Sequence, residues 1–117
     1  MNKIYYLSSC NTCTRIINEL NLPEDFQLQD IKTDPITESQ IKEMRALTDS
    51  YESLFSKRAR LYKELGLKDK SLSEDDYKNF ILEHYTFLKR PVILYNGTIF
   101  IGNSKKTVEA AKRAIHE

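Results

Sequence analysis

The chain has 117 residues, with 18 Lys or Arg against 17 Asp or Glu and a formal net charge of +1. This length is typical of a single domain with a core of ordinary size. The balanced charge gives no overall attraction to nucleic acid or acidic surfaces, so we expect no direct nucleic-acid binding. No apolar run approaches the ~20 residues of a membrane span, and we therefore expect a cytoplasmic protein without membrane contact.

The first third of the sequence predicts a β-α-β unit. An extended apolar run, Ile4–Leu7, precedes an amphipathic run, Thr14–Leu22, and Phe26–Ile31 alternates apolar and polar residues as a half-buried strand does. A right-handed crossover would make the two strands parallel. The loop after the first strand then lies at the strand's carboxyl end, where open α/β sheets place their sites.

The middle of the chain, at about residues 37–86, is predicted to be a helical insert. Thr37 and Gln40 have the spacing of a capping box at the start of one helix. The buried stripe of this helix is predicted to include Ile41, Met44, Leu47, Leu54 and Phe55. A second helix is predicted from about Arg58 to Leu65, ending at Gly66.

A third helix of the insert is predicted to begin at Ser73, because acidic residues fill its first turn. One face of this helix should carry Tyr77, Phe80, Ile81 and Tyr85.

The last third predicts a hairpin followed by a helix. Two β-rich runs, Val92–Tyr95 and Thr98–Ile101, are separated by Asn96-Gly97, which is typical of a type I′ turn. A final helix is predicted from Ser104 to about Ile115, with Val108, Ala111 and Ile115 facing inward. The expected fold is a single α/β domain over residues 1–117, with a small mixed four-stranded sheet and helices on its faces.

Cys10 and Cys13 are the chain's two cysteines, and their C-x-x-C spacing places them where the first strand meets the first helix. Backbone N–H groups and the dipole at a helix start stabilise a thiolate, so this position lowers the pKa of the first cysteine. A C-x-x-C near a β-α-β pattern is typical of thioredoxin-like redox sites. We therefore predict that Cys10 is the nucleophile and that Cys13 resolves a mixed disulfide.

Other interpretations of the cysteine pair are a zinc site, a structural disulfide and a pairing without function. A structural zinc site needs about four ligands, and His84 and His116 are the histidines that could supplement the cysteines, at spacings that do not suit a metal. A disulfide closing so small a loop adds little stability. Redox chemistry is the preferred hypothesis, and we expect no bound metal or cofactor.

Arg90 and Pro91 immediately precede the third predicted strand. A trans proline is acceptable at the first residue of a strand. In a thioredoxin-like fold, a cis-proline at this place faces the C-x-x-C, and we predict the cis form and a contact of Pro91 with substrate. Arg90 would then stabilise the Cys10 thiolate or hold an oxyanion in a forked contact, unless it is a solvated surface charge.

Further candidate substrate contacts are polar or basic. Asn11 and Thr12 lie between the two cysteines, and Arg58 belongs to the basic cluster Lys57–Arg60. This cluster could hold glutathione or an oxyanion, or it could be a solvated helix face. Arg15 could assist the thiolate or be a surface charge.

Three segments together resemble one known family. They are Ser9–Arg15 at the first turn, Phe55–Arg58 with Tyr62–Leu67 in the insert, and Leu88–Ile93 before the hairpin. They are similar to the ArsC-like arsenate reductase branch of the thioredoxin superfamily, which includes the Spx regulators and the glutathione-linked YffB proteins. The resemblance implies a thioredoxin-type sheet, Cys10 as nucleophile, and reduction of arsenate or of a disulfide, with glutathione or glutaredoxin as external reductant.

Within that family the chain combines features of two branches. The arsenate reductases use one catalytic cysteine and several arginines, of which Arg90 is present, whereas Gly102 stands where they have an arginine after the final strand. Their insert arginine is replaced here by Ser56 or Glu52. The second cysteine and Arg58 resemble the Spx branch, which implies an alternative function: a redox-sensing transcription regulator that binds the RNA polymerase α subunit.

Overall fold

Residues 2–117, the part of the chain that this computed structural model describes, contain four short strands in one mixed sheet. The strands are β1 Lys3–Tyr6, β2 Gln27–Asp30, β3 Val92–Tyr95 and β4 Thr98–Ile101. Their order across the sheet is β2-β1-β3-β4. β1 is parallel to β2 and antiparallel to β3, and β3 is antiparallel to β4. The predicted order of a β-α-β unit, helices, a hairpin and a final helix is confirmed.

The same described residues contain five α-helices and three short 3-10 turns. The helices are α1 Asn11–Leu20, α2 Glu38–Ala46, α3 Arg60–Glu64, α4 Glu74–Glu83 and α5 Lys105–His116. The 3-10 turns are Glu52–Leu54, Leu67–Asp69 and Tyr85–Phe87. None of these helices is long and apolar enough to cross a membrane.

The chain divides into two compact units. One unit comprises the residues up to Asp34 and those from Arg90 onward, and it holds the sheet with α1 and α5. The other comprises Pro35–Lys89 and holds α2, α3 and α4. The helical insert predicted at residues 37–86 falls within this second unit.

The core of the sheet-containing unit lies between the sheet and two helices. Ile4 of β1 and Ile93 of β3 are neighbours in register, so their side chains share one face of the sheet. The buried cluster on this face consists of Ile4, Ile16, Leu20, Phe26, Ile93, Val108, Ala111 and Ile115. Because α1 and α5 each place apolar residues three or four positions apart, both helices bury one stripe against the strands.

The second predicted strand is correct in place but wrong in its buried face. Leu28 is 50% exposed, whereas Gln29 is buried and its Nε2 donates to the Asp34 carbonyl oxygen at 2.9 Å. A satisfied side-chain amide can be buried in this way. Leu28 is exposed because β2 is an edge strand, and Phe26, which precedes the strand, joins the buried cluster instead.

The turn between β3 and β4 has the predicted chemistry. Asn96 and Gly97 have φ values of 47° and 79°, and a type I′ turn requires positive φ at both positions. An asparagine tolerates this conformation and a glycine adopts it without steric cost. The two strands are therefore joined by the shortest common hairpin loop.

Two capping boxes begin helices in the second unit, and the first was predicted. Thr37 accepts from the Gln40 N–H, and the Gln40 side chain accepts from the Thr37 N–H. Ser73 and Asp76 form the same reciprocal pair at α4. Each box satisfies two backbone donors that a helix start leaves free.

The predicted extents of the insert helices need correction. α2 ends at Ala46, so Leu54 and Phe55 are buried outside it, and Leu47 is 37% exposed because it caps the helix. α3 begins at Arg60 rather than Arg58, because Ala59 is extended at its N-terminus. Tyr85 likewise lies beyond the end of α4, in a 3-10 turn.

An aromatic cluster replaces the longer helix stripes that the sequence predicted. Phe55 lies at its centre, with ring centroids 4.9 Å from Tyr77 and 5.1 Å from Phe87. Tyr62 and Phe80 also pack against Phe55. An antiparallel β-bridge pairs the backbones of Phe55 and Leu88. The aromatic rings around Phe55 give the second unit a core of its own.

Candidate active site

The turn between β1 and α1 presents Cys10 at the start of the helix. The Cys10 N–H donates to the Leu7 carbonyl oxygen at 3.0 Å, which closes a turn over Ser8 and Ser9. Cys10 itself is the N-cap residue, with an extended backbone, and its carbonyl accepts the Thr14 N–H at 3.1 Å. Cys10 therefore lies next to the first N–H groups of the helix, although its side chain makes no capping hydrogen bond.

The surroundings of Cys10 favour its thiolate. Partial burial raises the pKa of Cys10, but the backbone N–H groups of Cys13 and Thr12, the Cys13 thiol and the Arg90 charge act in the opposite direction. The pKa of Cys10 consequently lies below that of an ordinary thiol. Cys10 is half-buried, and a lowered thiol pKa at a partly accessible position is typical of reactive cysteines.

Cys13 lies one turn further along α1 and has the opposite character. It is fully buried, and its burial raises the pKa to about 11. The Leu7 N–H lowers the pKa of Cys13, whereas the Cys10 sulfur raises it. Both cysteines are free thiols in this structure. The roles of nucleophile for Cys10 and resolving thiol for Cys13 stay predictions.

The Arg90-Pro91 peptide bond is cis, as predicted. Pro91 is buried, and its carbonyl accepts the Gly102 N–H at 2.9 Å. The Arg90 charge lowers the pKa values of both Cys10 and Cys13, so the guanidinium lies within electrostatic reach of the two thiols. The predicted neighbourhood of Arg90 and Cys10 is therefore present.

The other predicted site residues differ in their exposure and in the unit to which they belong. Asn11 and Thr12 form the start of α1, with Asn11 exposed and Thr12 half-buried. Arg58 is exposed in the turn that precedes α3, in the second unit. Arg15 is exposed and pairs with Glu19 at 3.5 Å, as a surface charge does. The substrate contacts assigned to Asn11, Thr12, Arg58 and Pro91 stay predictions.

The two histidines considered as zinc ligands have other partners. The Nδ1 atom of His84 lies 2.7 Å from Thr86 Oγ1. The Nε2 atom of His116 lies 2.6 Å from the Leu20 carbonyl oxygen, and it links α5 to the end of α1. In residues 2–117 no three His, Cys, Asp or Glu side chains are grouped so that they could hold a metal ion.

The sequence did not single out two polar residues near Cys10, one within the turn that precedes it and one at the end of β2. Ser8 Oγ donates to Asp30 Oδ2 at 2.5 Å, and the Ser8 N–H lies 3.4 Å from Asp30 Oδ1. The residues are 22 positions apart in the chain, so no local pattern indicates the contact. The sequence offered one indication, because Asp30 lies near the end of a strand that was predicted to be parallel to the strand before Cys10.

A mixed four-stranded sheet, a C-x-x-C at the first strand-to-helix turn and a cis-proline before the third strand define a thioredoxin-like protein. The sequence profile of the ArsC family matches residues 5–111. The chain belongs to the ArsC family, which confirms the resemblance found in its motifs.

Relatives within the family carry two different names. The chain is 25% identical over 112 residues to the global transcriptional regulator Spx 1 of Bacillus cereus, covering 92% of this chain and 84% of that protein. It is 40% identical over 50 residues to an arsenate reductase of Neisseria meningitidis, covering 43% of each. The solved arsenate reductase of Vibrio cholerae has the same fold, with a TM-score of 0.78 at 21% identity over 97% of this chain and 96% of that one.

Proposed function

We propose that this protein is a thiol–disulfide oxidoreductase of the ArsC family, with Cys10 as the nucleophile and Cys13 as the resolving thiol. The observation that carries the proposal is the opposite perturbation of the two thiols, because the pKa of Cys10 is lowered and that of Cys13 is raised to about 11. One sulfur is thereby prepared to attack, and the other retains its proton until the first has reacted.

In the first step the Cys10 thiolate attacks one sulfur of a substrate disulfide. A Cys10–substrate S–S bond forms, the substrate S–S bond breaks, and the departing thiolate takes a proton from solvent. Arg90 and the N–H groups of Thr12 and Cys13 stabilise the attacking thiolate. Asn11, Thr12 and Pro91 are the proposed contacts for the rest of the substrate.

In the second step Cys13 releases the substrate. The hydrogen bond and the negative charge of Cys10 both raise the pKa of Cys13, and both disappear once Cys10 is in the mixed disulfide. The Cys13 thiol then loses its proton to solvent and attacks the Cys10 sulfur. The Cys10–Cys13 disulfide forms, the Cys10–substrate S–S bond breaks, and the expelled substrate thiolate takes a proton from solvent. The pair has lost two electrons and the substrate has gained them.

An external thiol returns the pair to its reduced state. Two molecules of glutathione, directly or through glutaredoxin, supply two electrons and become oxidised glutathione. The reduced pair then enters another cycle, in a reducing compartment such as the cytoplasm. The second-step disulfide is thus an intermediate rather than a structural crosslink.

A disulfide is a better substrate for this site than arsenate. Arsenate carries negative charge on several oxygens, and forked arginine contacts suit such an anion. Arg90 supplies one guanidinium beside Cys10, while Gly102 stands where the arsenate reductases that the chain resembles have another arginine. We therefore rank reduction of a glutathione mixed disulfide above reduction of arsenate.

Turnover with purified protein tests this proposal. A mixed disulfide of glutathione with a small thiol is supplied with glutathione alone, arsenate is supplied separately with glutathione and glutaredoxin, and glutathione oxidation is followed against reactions without the protein. We expect turnover of the mixed disulfide, its complete loss in Cys10→Ser, and partial retention in Cys13→Ser, because glutathione can resolve the Cys10 adduct. Absence of wild-type turnover with either substrate would contradict the enzyme proposal.

A redox-sensing regulator is the second candidate function. The aligned segment shared with the Bacillus cereus regulator covers 92% of this chain, far more than the segment shared with the Neisseria arsenate reductase. In this function the Cys10–Cys13 disulfide changes affinity for the RNA polymerase α subunit instead of reducing a substrate. Pull-down of the purified polymerase α polypeptide by the oxidised and by the reduced chain tests it, with Cys10→Ser as the variant that cannot switch.

A further inference from the structure

Asp30 lies beside the turn that leads to Cys10, because the sheet register places it there. Asp30 pairs with Tyr6, the last residue of β1, and the Ile31 N–H donates to the Tyr6 carbonyl oxygen at 2.9 Å. The turn toward Cys10 begins two residues after Tyr6, at Ser8. The end of β2 therefore brings one carboxylate to the first exposed residue of this turn.

The carboxylate of Asp30 binds this turn at two points. Oδ2 accepts the Ser8 hydroxyl at 2.5 Å, and Oδ1 lies 3.4 Å from the Ser8 N–H. Oδ1 also accepts the Lys32 N–H at 3.2 Å, which orients the carboxylate from its own strand. The Ser8 hydroxyl is the main reason that the pKa of Asp30 lies below its usual value, so the group is a carboxylate near neutral pH.

Apolar packing does not hold the two serines of the turn. Ser8 and Ser9 are exposed and carry small polar side chains, so burial of apolar surface does not order them. The bond from the Cys10 N–H to the Leu7 carbonyl closes the turn but does not attach it to a neighbouring strand. The contacts between Ser8 and Asp30 provide that attachment.

We propose that Asp30 is a positioning residue for Cys10, which acts through Ser8 to hold the β1–α1 turn so that the Cys10 sulfur meets the first N–H groups of α1. The inference rests on the proposed function in one respect, namely that Cys10 reacts as a thiolate. The backbone N–H groups of Cys13 and Thr12 stabilise that thiolate only in a defined geometry. A looser turn therefore weakens their effect without removing any group that touches the sulfur.

The negative charge of Asp30 cannot itself explain such a role. A carboxylate near a thiolate disfavours the thiolate, so removal of the charge alone would leave the reactivity of Cys10 unchanged or raise it. Asp30→Asn retains an oxygen acceptor for the N–H groups and gains an amide that can donate to the Ser8 hydroxyl. This variant therefore separates the geometry of the turn from its charge.

The test measures the pH midpoint of Cys10 alkylation in the full-length reduced chain, with Cys10 distinguished from Cys13 by peptide fragmentation. We expect Ser8→Ala and Asp30→Ala to raise the midpoint by about half a pH unit, which reduces the thiolate fraction about threefold at pH well below the midpoint. Asp30→Asn should remain near the wild type. Ser9→Ala, which removes the adjacent exposed hydroxyl of the same turn, is the matched control and should also match the wild type.

The outcomes separate this inference from the proposed function. A wild-type midpoint equal to that of free cysteine contradicts the thiolate on which the function rests. A low wild-type midpoint that Ser8→Ala and Asp30→Ala leave unchanged overturns the positioning role alone, as does a shift in Asp30→Asn as large as that in Asp30→Ala. Thermal unfolding of each variant shows that it is folded, and Ser8→Ala, at an exposed position, carries the test if Asp30→Ala does not fold.

Discussion

Burial and hydrogen bonding shift the pKa of Cys10 in opposite directions. Burial removes water that would solvate a thiolate, and this is the largest single influence on the pKa of Cys10. The combined donors of the first helical turn, the Cys13 thiol and Arg90 outweigh it. The lowered pKa of Cys10 therefore depends on several modest contributions, of which the Cys13 thiol and the Arg90 charge can each be removed by one substitution.

Arg90 contributes through its charge, and its substitution should have a small effect of predictable sign. Arg90→Ala removes a positive charge that favours the thiolate, so the pKa of Cys10 should rise by about half a unit or less in moderate salt. Arg90→Lys should retain most of the effect. Ultraviolet absorbance of the thiolate, recorded across pH in a Cys13→Ser background, provides the measurement.

Arg15→Ala is the matched control for this measurement. Arg15 is exposed on the same helix and pairs with Glu19, so its loss should leave the titration of Cys10 unchanged. An equal shift in Arg15→Ala and Arg90→Ala would indicate a general charge effect and contradict the specific role of Arg90.

At the scale of elements, the helix starts of the second unit depend on short polar contacts. Ser73 accepts from the Asp76 N–H at 3.1 Å and completes the capping box of α4. Ser73→Ala should lower the free energy of unfolding by ~1 kcal/mol, because a backbone donor loses its partner. Ser71→Ala, two residues earlier at an exposed position, should change it much less. Urea denaturation followed by circular dichroism compares the two, and equal effects would contradict the capping role.

Features with local chemical causes could be predicted from the sequence. The hairpin turn requires two residues that accept positive φ, and Asn96 and Gly97 satisfy this within two positions. The capping box of Thr37 and Gln40 spans a single turn of helix. The position of Cys10 at the start of α1 follows from the change from an extended apolar run to an amphipathic one. In each case the residues that cause the structure are neighbours in the chain.

Features that depend on distant neighbours could not be predicted. The alternation of residues 26–31 indicated a strand but not that Leu28 would be exposed at the sheet edge and Gln29 buried. Phe55 joined an aromatic cluster rather than a helix stripe, because its partners lie up to 32 positions away. The contact of Ser8 with Asp30 spans 22 positions and depends on the register of two parallel strands.

At the scale of the whole molecule, the buried thiol of Cys13 should make stability depend on pH. Its pKa is about 11 in the folded chain and about 8.5–9 in an unfolded one. Because the folded pKa is raised, the contribution to stability is fully present below the unfolded pKa and is lost as pH rises through about 11. The lowered pKa of Cys10 has the opposite sign, so its contribution grows as pH rises above its folded pKa.

The difference in unfolding free energy between the wild type and Cys13→Ser isolates this effect. The difference should decrease by at most about 2–3 kcal/mol as pH rises from about 8.5 toward 11, since the titrating groups that do not interact with Cys13 cancel. Denaturation of both reduced proteins at several pH values measures it. A difference that stays constant across this range would contradict the raised pKa of Cys13.

The fold alone does not decide between the two candidate functions. The chain has relatives named as reductases and relatives named as regulators, and one fold can host different functions. What this chain adds is a pair of thiols with opposite protonation preferences beside one arginine. Both functions require this pair to form a disulfide, but only the enzyme must form it through a substrate adduct on Cys10.

Reaction of the two single-cysteine variants with oxidised glutathione tests this division of roles most directly. Mass spectrometry without reductant follows Cys13→Ser, Cys10→Ser and the wild type near neutral pH. We predict a rapid, stable glutathione adduct on Cys10 in Cys13→Ser, slow reaction of the buried Cys13 in Cys10→Ser, and conversion of the wild type to the Cys10–Cys13 disulfide. Equal rates for the two variants, or a wild type that retains glutathione, would contradict the account.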